Sequence, residues 1–168
     1  MKDIRIRKAE NSDLEQLIDL CKQHAEYEKA EYSLANKGSL LSQHLFKTEP
    51  SLNCLVAEDS GILVGYATFM KQFSTLNASF YLYLDCLFLQ RRYRGLGLGR
   101  QLMEKVKEYA LGENCIEIQW QTPIFNKNAI DFYKRLGAVS KSKERFFLDL
   151  SNPTTSGSSR EVMRLPEI

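Results

Sequence analysis

Leu87-Phe88-Leu89-Gln90-Arg91-Arg92-Tyr93-Arg94-Gly95-Leu96-Gly97-Leu98-Gly99-Arg100 is the stretch on which the fold turns. The apolar run from Phe80 to Leu89 reads as a central strand covered on both faces. A basic, glycine-rich turn follows, and an amphipathic helix opens inside it, carrying Leu98, Leu102, Met103, Val106 and Ala110 on one face and stopping at Gly112. Gly95, Gly97 and Gly99 remove side chains where a backbone must approach something closely. The unpaired amides of a helix's first turn, with the helix dipole behind them, make an anion site. Arg92, Arg94 and Arg100 add positive charge around it. This is not a Walker A loop, which needs Gly-Lys-Ser/Thr after its second glycine, and the spacing is not that of the dinucleotide fingerprint. The same residues also admit a tight turn with solvated arginines, or a nucleic-acid patch on Arg91-Arg92-Tyr93-Arg94.

Upstream, residues 3–7 alternate as a short strand, and Ser12-Asp13-Leu14-Glu15 has the form of a capping box opening a helix with Leu14, Leu17, Ile18, Cys21 and Ala25 inward. A second short helix is placed near Ser39–Phe46. Leu52–Glu58 and Ile62–Met70 form a hairpin through Asp59-Ser60-Gly61. Downstream, Ile116, Ile118 and Trp120 alternate with polar residues as a strand ended by Pro123. Asn126 to Leu136 is a helix closed by Gly137, and Arg145–Leu150 is a last strand. The order β-α-α-β-β-β-α-β-α-β indicates an α/β sandwich with a mixed sheet. One domain, residues 1–150, and a polar tail, 151–168, account for the chain.

At 168 residues the length suits a single domain with its own core. A net charge of +2 argues against nucleic acid or a membrane surface as partner. No apolar run approaches the ~20 residues of a membrane span, and the start of the chain lacks a signal core. Cys21, Cys54, Cys86 and Cys115 are widely spaced, which suits reduced thiols in a cytoplasmic protein, and the two histidines carry no metal-site spacing.

The pattern Arg92-x-x-Gly95-x-Gly97, between a strand and a helix, resembles the acetyl-CoA pyrophosphate loop of the GNAT superfamily of N-acetyltransferases. Asn126-x-x-Ala129-x-x-Phe132-Tyr133-x-x-x-Gly137-Ala138 resembles that superfamily's downstream segment. The resemblance implies a GNAT fold: a mostly antiparallel mixed sheet, helices on both faces, and a splayed central strand pair. It implies acetyl-CoA as co-substrate with no metal, held by Leu87, Phe88, Leu89, Arg92, Arg94, Gly95, Leu96, Gly97, Leu98, Gly99, Arg100, Gln119, Asn126, Ala129 and Tyr133. Tyr133 would stand beside the cofactor sulfur, where a phenol can protonate or hydrogen-bond a leaving thiolate. By position alone Tyr133 is equally a core aromatic, and Asn126 a helix N-cap.

Residues Ile4 to about Leu150 resemble more narrowly the diamine (spermidine/spermine) N-acetyltransferase group, on Ala25-Glu26-Tyr27-Glu28, Cys54-Leu55-Val56-Ala57-Glu58, Val64-Gly65-Tyr66-Ala67 and Tyr83-Leu84-Asp85. That implies direct transfer to a small primary amine faced by Tyr27, Glu28, Asp85 and a residue near Glu144, in a protein expected to be a homodimer. An alkylammonium must lose a proton before it attacks, and a carboxylate can attract it and relay that proton. Asp85, the one charged residue between Ala78 and Leu89, is the catalytic candidate beside Tyr133; an internal salt bridge is its other reading. Glu26, Glu28 and Glu31 are alternatively a solvated charged face. The group's Glu-Asp pair is Asp85-Cys86 here, Phe125 stands where it has Trp, and Arg145 stands where a second acid is expected. Aminoglycosides or protein lysines as acceptors, a Cys86 acyl-enzyme, and a non-catalytic CoA-binding module are the competing functions.

Overall fold

A computed structural model describes residues 4–33, 35–148 and 150. The expected tail, 151–168, lies outside them. Alternation of apolar residues builds β1 (Ile4–Lys8), β2 (Asn53–Asp59), β3 (Ile62–Ser74), β4 (Ser79–Leu89) and β5 (Cys115–Gln119). Helical spacing builds α1 (Leu14–Tyr27), α2 (Lys37–Leu45), α3 (Leu98–Gly112) and α4 (Lys127–Arg135). The strands form one sheet in the order β1-β2-β3-β4-β5. Neighbours are antiparallel except β4 and β5, which the α3 crossover makes parallel.

Each face of the sheet has its own core. On one, α3 buries Leu98, Leu102, Met103, Val106 and Ala110 against Leu82, Leu84 and Phe69, with Phe132 of α4 and Leu136 just after it packed alongside. On the other, Leu17 and Leu20 of α1 and Leu45 of α2 cover Cys54, Val56, Tyr66 and Phe88. The β3–β4 ladder carries a bulge: Thr68 faces Cys86, but Phe69 faces Leu84, so Asp85 has no partner of its own.

Several expectations are corrected. β4 is interior, between β3 and β5 and covered on both faces as expected, but β3 runs on to Ser74, beyond Met70. Residues 145–148 and 150 form no strand: Phe146, Phe147, Leu148 and Leu150 are exposed, because β-propensity makes a strand only against a paired neighbour. The splayed pair therefore lies at one side of the described sheet. Gly112 sits inside α3, and the left-handed residue beyond it is Asn114, with φ 56°. The Ser12–Glu15 capping box is not formed; Asp13 instead accepts from the Glu10 amide at 2.7 Å.

Asp13 is drawn elsewhere by Arg7, whose guanidinium reaches both its oxygens (2.6 and 2.8 Å) and Glu58 at 2.8 Å. Bonding to Arg7 holds the Asp13 carboxyl below its ordinary range despite burial. Its stabilisation is therefore present above the unfolded-state pKa and is lost as pH falls through the folded value. Asp13→Asn, which leaves the part-buried Arg7 guanidinium without its buried carboxylate, is expected to cost about 3 kcal/mol in urea unfolding at neutral pH. The gap should narrow on acidification; equal midpoints at pH 7 would show that the pair adds nothing.

Candidate active site

The β4–β5 ladder pairs Phe80 with Cys115, Leu82 with Ile118 and Tyr83 with Gln119, and there it stops while β4 continues to Leu89. A gap thus opens from Gln119 onward. The Gln90 amide bonds Val64 O at 2.9 Å, so Gln90 and Phe88 turn their main chain to β3. With the period of two, Leu87 and Leu89 turn theirs to the gap. Phe88 is consequently a packing residue, its ring buried under α1.

Beyond Leu89, Gly95 and Gly97 have φ values of 78° and 81°, the left-handed region that glycine adopts without strain, and open space surrounds both. Gly97 caps α3, leaving the Leu98, Gly99 and Arg100 amides without intrahelical acceptors. Gly99 serves packing: a Cβ there would lie 3.2 Å from the Phe132 ring. The Leu98 side chain is core, whereas Leu96 and Arg100 are exposed. Arg92 is exposed with its guanidinium 5.0 Å from the Tyr93 ring centroid. Arg94 folds back instead, donating Nε to Leu89 O at 2.8 Å and lying 4.2 Å over the Tyr27 ring. The open loop, the free amides of the α3 start and a Leu87–Leu89 edge outside the β4–β5 ladder fit a pyrophosphate followed by an extended amide-bearing arm.

Across the gap stands α4. Asn126 is buried, accepts from the Ala129 amide at 3.3 Å as the N-cap, and also accepts from the Tyr27 hydroxyl at 3.0 Å. The N-cap role expected of Asn126 is thus formed, and the same oxygen ties the end of α1 to α4. A cavity of about 240 Å³ lies beside this bond, lined by Tyr27, Lys29 and Phe125–Asn128. At the other end, Gly137 (φ 88°) closes the helix, and the Ala138 amide bonds Tyr133 O at 3.1 Å. That fixes Tyr133, whose ring packs on Trp120 and Phe132. Burial, then the nearby Glu28, pushes its phenol up to about 12.

The bulge turns Asp85 and Cys86 to the same face as Thr68. Thr68 Oγ1 donates to Asp85 Oδ2 at 3.3 Å, and the Cys86 thiol donates to the same oxygen at 3.6 Å. Asp85 is exposed to the cleft, and among the described residues no Lys or Arg pairs with it, so the salt-bridge reading falls. Of the three acids at and beyond the end of α1, Glu26 and Glu31 are exposed and Glu28 is drawn in, 3.5 Å from His24 Nε2. Burial raises the Cys86 thiol to about 12, which denies it nucleophile character. Glu144 is not brought to the cleft: it lies in the exposed irregular segment, where Arg145 stacks on Phe147.

Sequence reasoning missed His24, Tyr66 and Thr68. The spacing of His24 four residues before Glu28 was the one available sign; Tyr66 and Thr68 read as ordinary strand residues. Among the described residues, no group of His, Cys, Asp or Glu is placed to hold a metal, and no helix is long and apolar enough to cross a membrane.

The chain is 31% identical over 156 residues to a thialysine N-epsilon-acetyltransferase of Mus musculus, covering 88% of this chain and 91% of that one. It is 27% identical over 147 residues to a human spermidine/spermine N(1)-acetyltransferase-like protein 1, covering 83% of this chain and 21% of that one. An aminoglycoside N-acetyltransferase solved in complex with CoA superimposes with a TM-score of 0.76 at 19% identity, over 89% of this chain and 97% of that one; at that identity the likeness shows the fold. The model of the Acetyltransferase (GNAT) family matches residues 12–138. That span holds the glycine loop, the splayed strand, the acids of the cleft and Tyr133, and the chain belongs to the GNAT acetyltransferases.

Proposed function

We propose that the protein transfers the acetyl group of acetyl-CoA to a primary amine of a small molecule, a diamine, polyamine or amino-acid-like amine, by direct attack within a ternary complex. The observation that carries this reading is the placement of Asp85, Glu28 and Tyr133 at the β4–β5 gap. The acids stand on the α1 face, and the glycine loop leads into α3 on the opposite face. Donor and acceptor then approach the gap from opposite sides of the sheet. The relatives named for thialysine and spermidine/spermine support the choice of small amines.

The roles follow from chemistry. Arg92, Arg100 and the amides from Gly95 to Arg100 hold the pyrophosphate; the Leu87 and Leu89 main chain, with Gln119 opposite, holds the pantetheine arm. Arg94 must leave the Leu89 carbonyl for that arm to pair there. Asp85 and Glu28 attract the ammonium, and Asp85, exposed and accepting two hydrogen bonds, takes its proton. The Tyr133 phenol hydrogen-bonds the departing thiolate.

The direct test is thiol release from acetyl-CoA against putrescine, spermidine, spermine, lysine, a thialysine-like amino acid, an aminoglycoside and a lysine peptide, at pH 7 and pH 9. Saturable release with small alkyl amines, at kcat/KM at least about tenfold above the aminoglycoside and the peptide, is expected. A preference for either of those two would overturn the acceptor class, and binding of acetyl-CoA without release for any amine would point to a binding module.

A further inference from the structure

His24 is a buried titratable residue that the acetyl-transfer roles above leave unused. Its side chain is 12% exposed, and its ring stacks on Phe88 with centroids 5.0 Å apart and planes 25° apart. A leucine or phenylalanine would fill such an apolar shelf without the penalty of burying an imidazole. Both ring nitrogens are engaged instead: Nδ1 lies 2.9 Å from the Tyr66 hydroxyl, and Nε2 lies 3.5 Å from Glu28 Oε1. The Glu28 carboxylate can only accept, so in the neutral ring Nε2 carries the proton and Nδ1 accepts from the Tyr66 hydroxyl, which is 1% exposed. The Cys21 and Cys86 thiols lie against the Tyr66 hydroxyl, and Cys86 in turn donates to Asp85. His24 thus bridges Glu28 and the buried Tyr66 hydroxyl, and the Cys86 thiol beside that hydroxyl gives its hydrogen bond to Asp85.

We propose that His24 is a positioning residue for the acceptor amine: as a neutral imidazole it holds Glu28 through Nε2, and on protonation it withdraws Glu28 from the substrate. An imidazolium cannot accept from Tyr66, so that hydroxyl must turn toward the Cys21 and Cys86 sulfurs. The same imidazolium pairs with Glu28 and adds a positive charge where a cationic amine must enter. The groups facing the ring from every packed element are Glu28 on α1, Tyr66 on β3, Asp85 and Cys86 on β4, and Arg94 beyond it. Burial is the largest influence and lowers the His24 value, outweighing Glu28 and Asp85. The neutral form therefore prevails at and above neutrality, and the loss of amine binding falls on the acid side.

This inference rests on the reading of the cleft as an amine site, and the experiment separates the two. The KM for putrescine should rise about tenfold in the wild type between pH 7.5 and pH 5.5, with the KM for acetyl-CoA flat. His24→Gln, which can still accept from Tyr66 but cannot titrate, should abolish that rise. An unchanged KM–pH slope in His24→Gln would overturn the role of His24 while leaving acetyl transfer intact. If no amine turns over, the acceptor reading itself fails. The role of His24 is then read from its Cε1 proton resonance with and without putrescine, using His44→Gln to remove the other histidine. Bound dication should move the His24 titration to lower pH by about half a unit or more. Putrescine bound without that movement, or not bound at all, would overturn the proposal, and this readout needs no folded His24 variant.

Discussion

Tyr133→Phe is expected to lower kcat by about 100-fold while leaving the KM for acetyl-CoA within about a factor of two. The substitution removes one hydroxyl and keeps the ring, so its contacts with Trp120 and Phe132 and the closure of α4 at Gly137 survive. A phenol pushed up to about 12 stays protonated throughout the neutral range, and no activity limb near neutrality should belong to it. The same value decides what the hydroxyl does. Complete proton transfer from such a phenol to a thiolate of pKa near ~8.5 is uphill by roughly 5 kcal/mol, so a hydrogen bond to the developing charge is the larger effect. Thiol release under saturating substrates measures it; a fully active variant would remove Tyr133 from the reaction and return it to the core.

The second large effect is expected at Asp85. Asp85→Asn should reduce kcat/KM for the amine by about 100-fold or more with acetyl-CoA use unchanged. What activity remains should climb about tenfold per pH unit from pH 7 to pH 9, because the variant must wait for amine already deprotonated by solvent. The asparagine carbonyl can still accept from Thr68 and Cys86, and the position is exposed, so stability should hold. A variant with a wild-type pH profile would exclude proton transfer through Asp85. One that merely unfolds would make the carboxylate a structural group.

Much of this site was legible because its parts are local. The glycine loop and the Asn126–Ala138 helix announce themselves through residues whose spacing fixes caps and turns, and the structure forms both within a residue or two of expectation. What sequence could not supply was long-range. Arg94 reads as one more cation around an anion loop, yet cation–π contact with Tyr27 and the Leu89 carbonyl turns it inward. Phe88 was grouped with Leu87 and Leu89 as main-chain contacts, and only strand register separates it from them. Glu144 was placed by resemblance at the start of a last strand, and without a paired neighbour that strand has no structure to impose. His24 was passed over because a single histidine on an amphipathic helix signals nothing until Tyr66 is found facing it.

The unpartnered residue in β4 sets the phase of everything after it. Before it, Leu82 and Leu84 point to the α3 core; after it, Leu87 and Leu89 do, and Phe88 faces α1. Even positions become odd ones at Asp85, much as one inserted letter shifts a reading frame. Replacing Asp85 leaves the ladder as it is, and deleting it would close the bulge, set Leu84 and Cys86 in regular alternation and keep Cys86 to Leu89 on the faces they already occupy. Neither core uses the side chain at 85. A position so released from packing is free to be chosen for its chemistry alone.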